Sequence, residues 1–163
     1  MKKLLLMGLC AVLCFDAFGQ NTPFAAFVRS LESHIHPRKD IAFYHEKAEL
    51  TDSITGKKTS VRTFYYFHKP TQTLRLVAVH RTEEGSKYPV VNDYVFRDDS
   101  LQKIGVFTHP KLCKNCYGLY SFSGGQLTGK EEKGIPAEDT HQLLMNALEY
   151  QLKAALFFKE PTQ

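Results

Sequence analysis

Two cysteines separated by two residues are the side chains of this sequence best suited to chemistry. Cys113 and Cys116 enclose the motif Cys-Lys-Asn-Cys, and such a pair can form a disulfide, exchange disulfides or bind a metal. A structural disulfide that tightens a link between two strands is the favoured interpretation. A thiol–disulfide exchange site is the second hypothesis. It is less favoured because the residues after Cys116 predict a strand, whereas a reactive thiol is usually activated at a helix start.

Metal binding is a weaker alternative for the same pair. His109, Cys113 and Cys116 offer three possible zinc ligands, whereas a structural zinc site needs four. Covalent haem requires histidine directly after the second cysteine, and Tyr117 occupies that position. The sequence therefore predicts a disulfide, no metal and no cofactor.

Other catalytic patterns are not found in the sequence. It contains no Gly-x-Ser-x-Gly elbow, phosphate-binding loop, dinucleotide fingerprint or His-Glu-x-x-His zinc motif. The carboxylate pairs Glu83-Glu84, Asp98-Asp99 and Glu131-Glu132 are adjacent residues. Adjacent side chains point apart on a strand and suit turns, so shared acid–base catalysis is not expected. The sequence favours a protein without enzymatic activity.

Tyrosines on predicted strands are the more suggestive side chains. Tyr65, Tyr94, Tyr117 and Tyr120 lie on or beside strands, and tyrosine is favoured at recognition surfaces because it combines an apolar ring with a polar tip. The default interpretation is that such residues form the core and rim of a sheet. They are the predicted ligand surface.

A meander of antiparallel hairpins must position these residues. Residues 61–82 combine aromatic and β-branched side chains with a turn at Pro70, which predicts a hairpin. Residues 90–108 and 117–133 predict two further hairpins, the last closed by Gly124-Gly125. Residues 41–50 predict a first strand with poor alternation, and the whole sheet has about seven strands.

Two helices are predicted to flank this sheet. Residues 22–36 begin with Thr22-Pro23 and carry apolar residues at helical spacing. Residues 137–158 are predicted to form a long C-terminal helix. Its main apolar stripe is Leu144, Leu148, Leu152 and Ala155, widened by Leu143, Ala147, Ala154 and Phe157. The predicted fold is α+β: an N-terminal helix, the antiparallel β-meander and a long C-terminal helix packed on the sheet, with both helices on one face of a curved sheet.

The N-terminus resembles an export signal. Lys2 and Lys3 precede an apolar run of residues 4–15, and Ala17-Phe18-Gly19 ends in small residues. The run is shorter than the roughly 20 residues that a membrane span needs. We predict that residues 1–19 are removed, that residues 20–163 form a single α+β domain, and that the protein is exported to the periplasm or outside the cell without a stable membrane anchor.

Charge gives little support for nucleic-acid binding. The formal net charge is +4 at pH 7 and the basic residues are dispersed, so no basic stripe with interleaved aromatics is seen. The sequence therefore favours an exported, non-enzymatic binding module whose curved sheet holds a small apolar ligand or a protein segment. A redox or metal-binding protein centred on residues 113–116 and a structural component of the cell envelope are the alternatives. The sequence predicts no oligomeric state.

Overall fold

Seven strands and one helix make up the described fold. The computed structural model describes residues 26–27, 30–31, 38–114 and 116–157. A short 3-10 turn, Arg38–Asp40, precedes the elements β1 (Ile41–Thr51), β2 (Lys58–His68), β3 (Thr73–Glu83), β4 (Val90–Arg97), β5 (Ser100–Thr108), β6 (Tyr117–Ser123), β7 (Gln126–Lys133) and α1 (Thr140–Phe157). Each strand pairs antiparallel with its neighbours in sequence, in the order β1 to β7. The seven-stranded meander and the C-terminal helix agree with the sequence prediction.

The predicted architecture is wrong in its N-terminal helix. Among the residues that the structure describes, no N-terminal helix is seen, although residues 26–27 and 30–31 have helical backbone. The rest of the predicted segment 22–36 lies outside the described residues. Capping and spacing signals are local, whereas a short helix draws most of its stability from tertiary packing, so these signals alone did not establish the element.

The hairpin turns follow from residues that tolerate positive φ. Gly124 and Gly125 have φ of 56° and 78°, and Asp98 and Asp99 have φ of 49° and 56°. Two successive positive φ values match the twist of tight hairpins, in which Gly, Asn and Asp are favoured. These local preferences explain why the sequence located the turns correctly.

Strand alternation divides the sheet into two faces. We call the side covered by α1 the helix face; its core is made by Tyr65, Phe67, Leu74, Val77, Val79, Tyr94, Phe96, Leu101, Ile104, Val106, Tyr120 and Phe122. We call the other side the second face. There Leu76 and Val95 pack with Phe27 and Leu31, with Tyr66, Phe107 and Leu119 partly buried against them. The expectation that both predicted helices cover one face is therefore wrong, since Phe27 and Leu31 lie on the side opposite α1.

Helix α1 contacts the sheet through the residues predicted to widen its apolar stripe, and only part of the main stripe faces the sheet. Leu143, Ala147 and Ala154 are buried against the helix-face core, whereas Leu148 and Leu152 are exposed. The predicted stripe was too broad, because apolar residues occur on both sides of this helix and helical spacing alone does not identify the side that contacts the sheet.

The predicted signal peptide, residues 1–19, lies outside the described residues, so the division into signal and mature domain stays a prediction. None of the helices in the described part of the chain has the length and apolar character needed to span a membrane. The disulfide described below is compatible with an exported protein.

Candidate functional site

Cys113 and Cys116 form a disulfide in the link between β5 and β6. Their Cα atoms are 5.5 Å apart, and Cys116 is buried. Gly134, which follows β7 and has φ of +65°, lies against this bridge: a Cβ atom on Gly134 would come within 2.5 Å of Cys116 Sγ. The bridge lies within the link before β6 and packs against the segment after β7.

His109, the third residue of the metal alternative, has other contacts. Its ring stacks on Tyr88 with 4.1 Å between centroids, and its Nδ1 accepts a hydrogen bond from the Lys111 backbone N–H at 3.2 Å. Disulfide sulfurs are not thiolates, which are the form of cysteine that binds zinc. Within the described residues no group of three metal-ligating side chains is found. The zinc alternative stays a prediction for the reduced protein.

The four tyrosines predicted as a ligand surface are all buried. Tyr65, Tyr94 and Tyr120 belong to the helix-face core, and Tyr117 lies on the second face. Three hydroxyls donate hydrogen bonds to glutamates: Tyr65 to Glu46 at 2.8 Å, Tyr117 to Glu131 at 2.5 Å and Tyr120 to Glu132 at 2.5 Å. The hydrogen bond to Glu131 raises the pKa of Tyr117 to about 12. These contacts are those of core and rim residues, and a ligand surface built on these rings remains a prediction.

Three consecutive polar residues lie at the centre of the sheet, and the sequence pattern did not identify them as a site. Asn92, Asp93 and Tyr94 lie on β4, the middle strand of seven, and all three are buried. Asn92 and Tyr94 point to the helix face, and Asp93 points to the second face. A polar residue costs free energy in a strand interior unless it is paired, so the pair Asn-Asp within Val-Val-Asn-Asp-Tyr-Val-Phe was a signal available in the sequence.

On the helix face, Asn92 and Tyr94 form an unsatisfied polar cluster. The Asn92 amide N and O and the Tyr94 hydroxyl are buried and, in the described part of the chain, have no hydrogen-bond partner. Burial raises the pKa of Tyr94, and nearby Asn92, Arg81 and Asn146 partly oppose that rise. The Asn92 amide and the Tyr94 hydroxyl are therefore neighbours that do not form a hydrogen bond of normal geometry. Each unpaired group costs about 1–3 kcal/mol.

On the second face, Asp93 lies between two small residues. Its cross-strand neighbours are Ala78 on β3 and Gly105 on β5, and its side chain is only 4% exposed. Burial raises the pKa of Asp93 from 3.8 to about 7. Burial and then the charge of Asp93 raise the pKa of Tyr66 to about 12. The carboxyl group is thus partly protonated near neutral pH.

Beside Asp93, the second face of β1–β3 carries a cluster of rings, which we call the aromatic patch: Phe43, His45, Phe64, Tyr66 and His80. Phe43 is central, with ring centroids 5.8 Å from His45, 6.3 Å from Phe64 and 5.8 Å from Tyr66. Phe64 contacts His80 edge-on at 5.1 Å. Phe43 is 44% exposed, so the patch offers an apolar surface to solvent next to the part of the face that Phe27 and Leu31 contact.

A row of basic side chains borders the aromatic patch. Lys47 on β1 is directly opposite Arg62 on β2, and Arg62 is directly opposite His80 on β3. Lys47 and Arg62 are exposed. Burial, and secondarily the charge of Arg62, lowers the pKa of His80. We call Lys47, Arg62 and His80 the basic row; it could hold the anionic end of a molecule whose apolar part contacts the patch.

The sequence reading did not find this site, because its residues come from three strands. Alternation along β1 places Phe43, His45 and Lys47 on one side of this strand, but their partners on β2 and β3 depend on the pairing register. Comparison with known proteins gives no further guide to the site: no family model, no curated protein and no solved structure matches the chain.

Proposed function

We propose that this protein is an exported, non-enzymatic binding module that holds a small apolar molecule with an anionic group. The observation that supports this proposal is the position of an aromatic patch with an exposed ring, Phe43, beside two like-charged side chains, Lys47 and Arg62, that lie directly opposite each other. The apolar body of the ligand packs on Phe43, Phe64 and Tyr66. Its anionic group binds Lys47 and Arg62.

The apolar part of the proposal rests on ring exposure. Exposing large apolar side chains on a sheet surface to water costs free energy, about 25 cal/mol per Å² of apolar area. A continuous exposed apolar surface next to polar groups is typical of ligand-binding sites. The patch combines rings, which give contact area, with imidazoles at two of its edges, which give polar contacts.

The anionic part of the proposal rests on like-charge pairing. Positive side chains directly opposite each other on neighbouring strands repel, so Lys47 and Arg62 destabilise the sheet unless an anion lies between them. In the described ranges, none of the ion pairs includes either residue. Glu49, the next residue on the same side of β1, pairs with Lys58 at 3.0 Å. A bound carboxylate or sulfonate would satisfy the row.

Arg62→Gln is expected to weaken binding of the anionic dye anilinonaphthalene sulfonate (ANS) about fivefold, because one charge contact is lost. Binding of the neutral dye N-phenylnaphthylamine is expected to change by less than about twofold, because its apolar contacts are unchanged. Phe64→Ala is expected to weaken both dyes. Dye fluorescence titrations measure all four affinities.

Lys57→Gln is the matched control, since Lys57 is an exposed cation in the turn between β1 and β2 and its loss changes net charge equally. Circular dichroism confirms that each variant is folded, because unfolded protein also binds these dyes. Equal weakening of ANS by Arg62→Gln and Lys57→Gln would show that only net charge matters and would contradict the proposed site.

ANS affinity is expected to rise as the pH falls from about 8 to about 5. Asp93, whose pKa is about 7, loses its negative charge over this range, and His80 gains a positive charge below its lowered pKa. Both changes favour an anion, and the dye sulfonate stays charged throughout. Titrations at several pH values in wild type, Asp93→Asn and His80→Gln separate the contributions. A flat profile in the wild type would contradict the assignment.

A protein segment is the less favoured ligand. It would add to β1, which is an edge strand, as in recognition by strand addition. However, β1 carries Glu46, Lys47 and Glu49, and charged residues on an edge strand oppose pairing with another strand. A redox role for Cys113 and Cys116 is also less favoured, because β6 begins directly after Cys116 and provides no helix N-terminus to stabilise a thiolate.

A further inference from the structure

Helix α1 carries a row of apolar side chains on its solvent side. Met145, Leu148, Leu152 and Leu156 are 48%, 46%, 73% and 60% exposed. Their spacing of three, four and four residues places them on one side of the helix, over a length of about 16 Å. We call these four residues the outer row.

The outer row takes no part in packing α1 on the sheet. The opposite side of the helix does that, through Leu143, Ala147 and Ala154, with Tyr150 and Phe157 packed beside them. Packing on the sheet requires one apolar side of α1, and the outer row gives the helix a second one. Exposed apolar residues in a continuous row mark an interaction surface.

We infer that the outer row is a dimer interface at which α1 packs antiparallel on α1 of a second copy of this chain. Between Met145 and Leu156 the only charged residues are Glu149 and Lys153, one of each sign. The surface therefore has no net charge that would select a strongly charged partner. A second copy brings the complementary charge itself.

The antiparallel arrangement follows from the positions of these residues. A two-fold axis at the level of Gln151 places Glu149 of each helix beside Lys153 of the other. It also places the outer rows in alternation, so that each apolar side chain fits between two from the partner, as in knobs-into-holes packing. Glu149 and Lys153 form an ion pair within one helix, with 3.1 Å between Oε1 and Nζ, so both side chains lie on one flank of α1. The two-fold axis brings this flank against the equivalent flank of the second copy.

A contact between two helices of this length is a small interface. Its total buried area lies at or below the roughly 1,200 Å² of weak complexes, so we expect dissociation constants of about 10–100 μM. Such a dimer leaves the second face of the sheet free, because α1 lies on the other side. The inference is therefore independent of the proposed ligand.

Sedimentation velocity on the whole purified protein, over concentrations from about 1 to about 500 μM, tests the inference. We expect a monomer–dimer equilibrium in the wild type. Leu152→Glu is expected to raise the dissociation constant at least about tenfold, because it puts a charge at the centre of the apolar contact. Ile54→Glu is the control: Ile54 is 93% exposed in the turn between β1 and β2, away from α1.

Two charge variants test the antiparallel geometry. Glu149→Lys alone should weaken the dimer, because it places like charges together, and adding Lys153→Glu should restore it. A monomer at all concentrations would overturn the inference, as would a dimer that Leu152→Glu leaves intact. Failure of the double variant to recover would overturn the antiparallel arrangement.

Discussion

Asp93→Asn is expected to stabilise the protein at pH 8 by about 2–4 kcal/mol relative to wild type and to have much less effect at pH 4. Asp93 lies on the second face between Ala78 and Gly105 and is almost fully buried. Burial raises its pKa from 3.8 to about 7, so ionising it in the folded protein costs on the order of 4 kcal/mol. An amide at the same position carries no charge at any pH.

The sign of the pH dependence follows from proton binding. Between about pH 4 and pH 7 the folded protein keeps the Asp93 proton that the unfolded chain has lost, so wild-type stability falls with rising pH over this window. Above about pH 7 both states are ionised and the cost is constant. Below about pH 4 both are protonated and the cost disappears. The difference in stability between Asp93→Asn and wild type should rise through the same window and then level off.

Urea denaturation at several pH values measures this difference, and Glu83→Gln, which removes one exposed carboxyl group at the end of β3, is the control. Other carboxylates contribute equally to wild type and variant, so they cancel. A constant difference between pH 4 and pH 8 would mean that Asp93 ionises as an exposed aspartate does.

Gly134→Ala is expected to destabilise the protein by about 2–4 kcal/mol, through two separate effects. Gly134 has φ of +65°, a conformation that costs a residue with a Cβ about 1 kcal/mol. In addition, the new methyl group would lie 2.5 Å from Cys116 Sγ and 3.6 Å from Cys113 Sγ. Either the disulfide or the segment after β7 must move, and overpacking of this kind typically costs about 1–3 kcal/mol.

Gly56→Ala separates these two effects. Gly56 has a similar φ of +69°, but no atom lies within 4 Å of the position of its Cβ. We expect Gly56→Ala to lose only the backbone part, about 1 kcal/mol. Thermal denaturation of both variants gives the comparison. Equal losses would show that the disulfide does not pack tightly against Gly134, and reduction of the disulfide should bring the two losses closer together.

The polar residues of β4 show why the sequence did not identify Asp93 as a buried group. An aspartate in a strand is usually solvated, and the sequence of β4 alone does not show that small residues from β3 and β5 lie on each side of Asp93. The predicted ligand surface of tyrosines, by contrast, rests on the frequency of tyrosine at recognition surfaces, which is an average property of the residue type. The structure buries Tyr65, Tyr94 and Tyr120 because each of them lies on the side of its strand that faces α1.

What the sequence by itself determined is the set of local features: the strands, their turns, the C-terminal helix and the pairing of cysteines three positions apart. Short connections make sequence neighbours pair, so the register of the meander follows from turn residues such as Asp98-Asp99 and Gly124-Gly125. Tertiary structure alone decided which side of α1 contacts the sheet, and on which face Phe27 and Leu31 lie. It also decided that Asp93 is buried and that Lys47, Arg62 and the aromatic rings of three strands share one surface. The physical reason is that burial and charge pairing depend on neighbours across strands and layers, and a sequence pattern with apolar residues on both sides does not specify those neighbours.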